Sequence, residues 1–173
     1  NVKPSCQFWL SEAVALAVVH TLDRYIDNGV SIKWPNDIYW NDRKICGILV
    51  EHSLSGGKID HTRAGIGLNK NQEKFLSDAP NPVSLRQIIG CDTPLPDVLH
   101  HLSEELLRLA DSLPDNAESL HAEFLSRLYR RNGLHTYRNV ADRTADHLAA
   151  GEEFCAEIAD VASDGILTLA RPD

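Results

Sequence analysis

Apolar residues recur every three or four positions in three stretches of the chain, which is the spacing of a helix that buries one face. The three sets are Leu10, Val14, Ala17 or Val18, Leu22 and Tyr25; Leu95, Val98, Leu99, Leu102, Leu106 and Leu109; and Leu120, Phe124, Leu125 and Leu128. Asn28 and Gly29 are typical of the end of the first helix. We expect the second and third helices to pack on a β-sheet.

Extended segments rich in β-branched and aromatic residues follow the first helix. The predicted strands cover residues 30–34, 38–40, 45–51 and 59–68. Polar residues 41–43 make a hairpin of the middle two strands, and Gly56-Gly57 forms the turn before the last. Residues 69–82 predict a loop, after which Ser84 and Gln87 match a capping box at the start of a short helix that Gly90 ends.

The pattern changes after Gly151, where apolar and polar residues alternate. Phe154, Ala156 and Ile158 follow this alternation, Asp164-Gly165 indicates a turn, and residues 166–169 continue as a strand. The sequence therefore predicts a larger domain over residues 1–144 and the start of a small β-barrel domain over residues 145–173.

Length and charge narrow the class of protein. A chain of 173 residues suits one domain with a small appendage, and its net charge of −8 opposes binding to nucleic acid. The cysteines Cys6, Cys46, Cys91 and Cys155 form no CxxC pair, so we expect reduced thiols. The longest apolar stretch, near residues 13–19, is too short to cross a bilayer and no secretion signal precedes it, which predicts a cytoplasmic location.

The most specific polar cluster is residues 33–37, with the sequence KWPND. A lysine leaving a strand, a proline that frees the backbone and an Asn-Asp pair can hold a phosphate and its metal ion at a strand end. Residue types alone favour a simpler alternative, a tight turn in which Asn36 and Asp37 bond their own backbone.

Two further segments carry candidate ligand contacts. Lys44 and Gly47 lie on one predicted strand, and together they suggest a ligand with a carboxylate, although a lone strand lysine is usually a solvated edge residue. The glycine marks either a bulge or a close approach of a ligand to the backbone. Residues 64–71 have the sequence AGIGLNKN, a strand that ends in glycines and asparagines, and they match neither a Rossmann fingerprint nor Walker A. The start of an ordinary loop explains them equally well.

In this order and spacing, the three segments closely resemble the catalytic domain of bacterial biotin-protein ligases, from about Phe8 to Asn71 and more loosely to the end. The resemblance implies an α+β fold with a mixed β-sheet flanked by helices, related to class II aminoacyl-tRNA synthetases, and then a truncated SH3-like β-barrel. It implies an enzyme that uses ATP and Mg²⁺ to convert biotin to biotinyl-5′-AMP. The biotin would then pass to a lysine in the biotin-carrier domain of a carboxylase.

The resemblance also implies residue roles. Lys44 corresponds to the catalytic lysine, which would contact the biotin carboxylate and the phosphate under attack, and Gly47 would meet the ureido ring through its backbone. The residues that would bind the nucleotide are Lys33, Asn36, Asp37 and Asn69, the last at the far side of the pocket. Lys70 departs from the apolar residue that the family generally has there.

Two features of the family are not in this sequence: the glycine- and arginine-rich loop that covers biotin, and the helix-turn-helix of some members. Because the chain opens on Asn1, we expect a fragment that lacks its N-terminal part and has reduced activity. Two alternatives stay open, a lipoate or octanoyl transferase and a catalytically silent module that binds a carrier domain. A homodimer, as occurs in the family, is also consistent with the sequence.

Overall fold

The computed structural model describes residues 2–76, 81–140 and 150–172. Its α-helices are α1 (Phe8–Asp23), α2 (Leu85–Ile89), α3 (Leu95–Asp111) and α4 (Ala117–Ser126), with a 3-10 turn at Pro4–Cys6. Its strands are β1 (Val30–Lys33), β2 (Asp37–Trp40), β3 (Arg43–Ser55), β4 (Lys58–Leu68), β5 (His135–Arg138), β6 (Glu153–Val161) and β7 (Leu167–Ala170). None of the helices in these ranges has the length and apolar character needed to cross a membrane.

Short connections determine the topology of the main sheet. β1, β2, β3 and β4 lie side by side in that order, and each neighbouring pair is antiparallel. A connection of a few residues can only reverse the chain direction. The α+β class is therefore confirmed, but the expectation of a mixed sheet is wrong for the described strands, where parallel contacts occur only as isolated bridges from Ile32 to Leu128 and from Lys44 to Pro82.

α1 forms the centre of the core because it is apolar on nearly all sides. Leu16, Val19 and Leu22 are fully buried, and the helix contacts β1, β2 and β3 as well as α3 and α4. The expectation that α3 packs directly on the sheet is wrong, since its main contact is with α1. α1 lies between the sheet and α3, so it is apolar on both faces and shows little amphipathic character. α3 forms the outer layer with one face towards solvent, which explains why it is strongly amphipathic.

Two local predictions are confirmed by backbone geometry. The Ser84 hydroxyl accepts from the Gln87 N–H while the Gln87 side chain accepts from the Ser84 N–H, and Gly90 ends α2 with a φ of 80°. Gly56 and Gly57 have φ angles of 58° and 75°, which a tight β3–β4 hairpin requires.

A second sheet follows α4. β5, β6 and β7 form it in that order, with Ala156, Ile158 and Val161 turned into the core. The alternation that predicted β6 and β7 is thus confirmed. The predicted boundary at residues 144 and 145 lies outside the described residues, and β5 precedes it, so the division into two domains and the barrel stay predictions.

A cluster of charged side chains around the buried Glu12 links the second sheet to the core. Glu12 on α1 is fully buried, its Oε1 lies 2.8 Å from His121 Nδ1 on α4, and His121 Nε2 lies 3.2 Å from Asp160 Oδ1 on β6. Glu12 Oε2 has no hydrogen-bond partner among the described residues. Burial therefore raises the pKa of Glu12 from 4.5 to about 6, a rise that His121 opposes only in part. Burial lowers the pKa of His121, but Glu12 and Asp160 outweigh it and raise that pKa above its ordinary value.

We predict that Glu12 makes the protein less stable as the pH rises from 4.5 through 6. The folded state holds the Glu12 proton more tightly than the unfolded state, so its stabilising contribution is complete at low pH and is lost above the folded pKa. Urea unfolding of wild type and Glu12→Gln, below pH 4.5 and above pH 6, should show wild type losing stability relative to the variant. Glu118→Gln, on the exposed face of α4, is the control for loss of a charge. A pH-independent difference between wild type and Glu12→Gln would contradict the prediction.

Candidate functional site

A row of paired residues crosses the face of the main sheet that α1 leaves uncovered. Lys33 pairs with Asp37, Asp37 with Gly47, and Gly47 with Gly67, so one residue from each strand contributes. Residues paired across antiparallel strands point to the same face. Because Ile32, Ile38, Cys46 and Ile48 belong to the core with α1, this row lies on the opposite face. Three of the predicted site residues are thereby brought together.

A β-bulge adds Lys44 to the row. Ile38 pairs with Cys46 and Tyr39 with Lys44, which leaves Ile45 as an extra residue on β3. In a regular strand Lys44 and Gly47 would point to opposite faces, because they are three positions apart. The bulge turns both to the open face, where Lys44 Nζ lies 2.6 Å from Asp37 Oδ1.

Glycines keep the surface beside this ion pair free of side chains. A Cβ atom on Gly47 would lie 3.3 Å from both Cε and Nζ of Lys44 and 3.7 Å from Asp37 Oδ1. Gly67 lies opposite Gly47, and Gly65 lies opposite Leu49, whose side chain is 61% exposed on the same face. We call Gly47, Gly65 and Gly67 the glycine floor. A flat ligand can approach the backbone here, with an apolar contact at Leu49.

The thiol of Cys46 lies under the floor and does not act as a nucleophile. The residue is fully buried. Burial raises its pKa to about 12, with Asp37 adding to the rise and Lys44 opposing it. A thiol must lose its proton to attack, so this one stays inert at neutral pH. The charged groups beside the glycine floor are therefore the Lys44 ammonium and the Asp37 carboxylate.

Lys33 and Asn36 make contacts that flank the row. Lys33 Nζ donates to Tyr39 Oη at 3.0 Å. Asn36 Nδ2 donates to the Ile48 carbonyl at 2.8 Å, and the Asn36 carbonyl accepts from the Ile48 N–H at 2.8 Å. The tight turn suggested by residue types is thus formed, but Asn36 bonds a neighbouring strand and not its own backbone. Asn36 fixes the start of β2 against β3, directly beside Asp37.

Asn69 lies just past the end of β4, behind Lys44. Its N–H donates to the Ile45 carbonyl at 2.9 Å, and its Nδ2 lies 3.4 Å from the Lys44 carbonyl. Asn69 therefore contacts the bulge through the backbone and is separate from the open-face row. Its predicted contact with a nucleotide stays a prediction.

The sequence-based prediction left Gly65 and Gly67 outside the site. If strand pairing were extended without interruption from the Gly56-Gly57 turn, Gly47 would lie opposite Ile66. Gly65 and Gly67 would then point to the core face. A second bulge shifts the register by one residue, because Leu54 pairs with Ile59 but Ser53 pairs with His61. This shift brings Gly67 opposite Gly47. The Gly-x-Gly spacing could have indicated that Gly65 and Gly67 lie together on one face of β4, since residues two positions apart in a strand point to the same side.

The sequence of this chain is similar to those of known biotin ligases over part of its length. The sequence profile of the Biotin/lipoate A/B protein ligase family matches residues 1–69. The bifunctional ligase/repressor BirA of Bacillus subtilis is 33% identical over 98 residues, which is 54% of this chain and 30% of that protein. The chain thus aligns with less than a third of this curated relative.

Solved structures extend the likeness to nearly the whole chain. The apo structure of biotin protein ligase from Aquifex aeolicus has a TM-score of 0.74 at 19% identity, covering 95% of this chain and 68% of that one. Its complex with biotin and ATP has a TM-score of 0.69 at 19% identity, covering 94% and 64%. The chain therefore has the fold of the biotin protein ligases. Residues 1–69, which carry the row and the bulge, are the part of the chain that matches the profile of the biotin/lipoate A/B protein ligase family.

The glycine floor leads to a prediction about Lys44. Gly47→Ala should displace the Lys44 ammonium from Asp37, because the new methyl group would contact its last carbon and its nitrogen at 3.3 Å. Gly67→Ala is the matched control, since its Cβ would meet only the Gly47 carbonyl at 3.5 Å. The NMR signal of the Lys44 ammonium should shift in the first variant and stay in place in the second. Equal spectra for both variants would contradict the role of Gly47.

Proposed function

We propose that this chain is part of a biotin-protein ligase that activates biotin with ATP and transfers it to a lysine of a biotin-carrier domain of a carboxylase. The observation that carries the proposal is the Lys44–Asp37 ion pair above the glycine floor, inside the segment that matches the family. The Aquifex aeolicus ligase of the same fold, solved with biotin and ATP, supports the choice of substrates.

The first step needs positive charge where two anions meet. The biotin carboxylate oxygen forms a bond to the α-phosphorus of ATP, and the bond from that phosphorus to the bridging oxygen breaks and releases pyrophosphate. The Lys44 ammonium lies on the open face with its side chain 37% exposed, so both anions can reach it. A fixed cation at this position stabilises charge that grows in the transition state, and Asp37 holds it in place beforehand.

The second step transfers the acyl group. The amine of the target lysine attacks the biotinyl carbonyl carbon, the bond from that carbon to the AMP oxygen breaks, and the nitrogen loses a proton to solvent. AMP leaves as an anion, which the Lys44 ammonium also stabilises. The uncovered face allows a carrier domain to present its lysine directly above the row.

The donor groups next to Lys44 suit a magnesium ion brought in with ATP. Mg²⁺ binds proteins through one or two carboxylates and takes its other ligands from water and substrate phosphates. Asp37 supplies a carboxylate and Asn36 an amide oxygen, and the described ranges contain no group of three acidic, histidine or cysteine side chains arranged to hold a metal ion. The ion would supply charge neutralisation at the phosphates. Lys33, the cross-strand neighbour of Asp37, adds a second cation for the nucleotide.

The glycine floor suits the flat, weakly polar ring system of biotin. At Gly47 the backbone itself forms the surface, so the ureido group can bond it, and Leu49 supplies an apolar contact. Asn69 completes the proposal on the nucleotide side. A homodimer and a C-terminal SH3-like barrel belong to the same proposal and follow from the family resemblance. A cytoplasmic location is part of the proposal as well.

Lipoate or octanoyl transfer is the second candidate, because the matching family includes lipoate ligases. A lipoate ligase would also place a carboxylate at Lys44, whereas an octanoyl transferase would take its acyl group from a thioester without ATP. Exchange of labelled pyrophosphate into ATP therefore separates the candidates, since it would depend on biotin in a biotin ligase and on lipoate in a lipoate ligase, and would not occur in a thioester-dependent transferase. A carrier-binding module without chemistry would support neither exchange.

Lys44→Ala should abolish most biotin-dependent pyrophosphate exchange in the full-length protein. Removing one charge that stabilises a transition state costs about 2.7–4 kcal/mol, or roughly a 10²- to 10³-fold loss of kcat. Lys58→Ala, at the far end of the hairpin, is the control and should keep wild-type activity. Thermal unfolding should change little, because a half-exposed ion pair contributes about 1 kcal/mol or less. Near-normal exchange by Lys44→Ala would remove that residue from the proposed role.

A further inference from the structure

The backbone of Lys44 is held by a segment almost forty residues further along the chain. The Lys44 N–H donates to the Asn81 carbonyl at 2.9 Å, and the Lys44 carbonyl accepts from the Val83 N–H at 2.9 Å. These bonds form the isolated parallel bridge between Lys44 and Pro82. We call residues 81–83 the clamp. It lies beside β3 beyond the end of β4, on the edge that β4 covers further along the strand.

The clamp is required because β4 does not reach Lys44. Pairing between β3 and β4 begins at Cys46, opposite Leu68, and the bulged residue Ile45 gives its carbonyl to the Asn69 N–H. Without the clamp, the Lys44 N–H would be unpaired and the Lys44 carbonyl would keep only the Asn69 Nδ2 donor at 3.4 Å. An unsupported bulge can also move by one residue, and a one-residue slip sends a side chain to the opposite face. For Lys44 that face is the core side, under α1.

One side chain ties the clamp to the β2–β3 turn. Asn81 Nδ2 donates to the Asp42 carbonyl, so Asn81 bonds the chain on both sides of Arg43. Arg43 Nη2 adds a bond to the Pro82 carbonyl at 2.9 Å. The turn is anchored from its other side as well, where Tyr129 Oη donates to Asp42 Oδ1. The Asn81 amide is therefore the side-chain hydrogen bond from the clamp to the turn before Lys44, while the fully buried Val83 anchors the other end of the clamp in the core.

We propose that Asn81 is a positioning residue for Lys44, which holds the bulge at Ile45 so that the ammonium points to Asp37 on the open face. This proposal rests on the proposed function only where catalysis is concerned; the geometric part concerns the ligand-free protein. Asn81 acts through the backbone and contacts no substrate. Because it works by orientation, its loss lowers the fraction of molecules whose Lys44 is in the reactive position, without changing the groups that bind biotin or ATP.

The geometric part is tested by the nitrogen NMR signal of the Lys44 ammonium in ligand-free protein, assigned by its loss in Lys44→Ala. Asn81→Asp keeps the shape of the side chain but removes the donor, and Asn81→Ala removes both. Asn71→Asp is the matched control, because Asn71 lies in the same connection and donates to the Thr93 carbonyl at 3.2 Å, away from Lys44. The signal should shift in both Asn81 variants and stay in place in the Asn71 variant. An unshifted signal in a folded Asn81 variant overturns the proposal.

The catalytic part is tested by biotin-dependent pyrophosphate exchange in the full-length protein. A misplacement on the order of 1 Å costs up to about 100-fold, so we expect kcat to fall roughly 10- to 100-fold in both Asn81 variants. KM for biotin and ATP should stay the same, whereas a general loosening of the loop would raise KM and would appear in Asn71→Asp too. An equal loss of activity in the Asn71 variant overturns the role of Asn81. If wild type shows no biotin-dependent exchange but the Lys44 signal still shifts, the proposed function is wrong and the positioning role stands.

Discussion

The register of strand β3 is the constraint on which the rest of the site depends. Two extra residues, Ile45 on β3 and Asp60 on β4, set that register on either side. The first turns Lys44 to the face that carries Gly47, and the second brings Gly67 opposite Gly47 in place of Ile66. Because side chains alternate with a period of two, omitting either bulge would move a lysine or an isoleucine to the wrong face. The site is thus assembled by two local departures from a regular hairpin.

The open face combines a charged pair with a surface of bare backbone, and each part depends on the other. Lys44 can rest 2.6 Å from Asp37 only because Gly47 has no side chain beneath them. The same missing side chain gives a ligand access to the backbone. Burial of Cys46 directly below keeps a competing nucleophile protonated. The arrangement is suited to binding and stabilising anions and not to covalent attack by the protein.

The core explains how an exposed site can be held rigidly. α1 packs on β1, β2 and β3 from the other face, so the strands that carry Lys33, Asp37 and Lys44 are supported along the residues between them. α3 and α4 pack around α1 and add no side chain to the row. The second sheet meets this core through Glu12, His121 and Asp160. The fold of the biotin protein ligases extends over nearly the whole chain, whereas the family profile matches only residues 1–69.

The sequence by itself determined most of the elements, although not β5, and it indicated the residues of the candidate site. Helical periodicity, the Gly56-Gly57 turn and the Ser84 capping box are local signals, since each depends on residues a few positions apart. The segments around Lys33, Asp37, Lys44 and Gly47 could be recognised because their order and spacing are specific. The short predicted connections already implied antiparallel neighbours in the main sheet. The sequence could not show that α3 packs on α1 or that Gly65 and Gly67 face the same side as Lys44. Tertiary structure decided these points, and also the contact of Asn81 with Lys44. Bulge positions and long-range backbone bonds arise from the packing of the whole sheet against α1, and no local pattern encodes them.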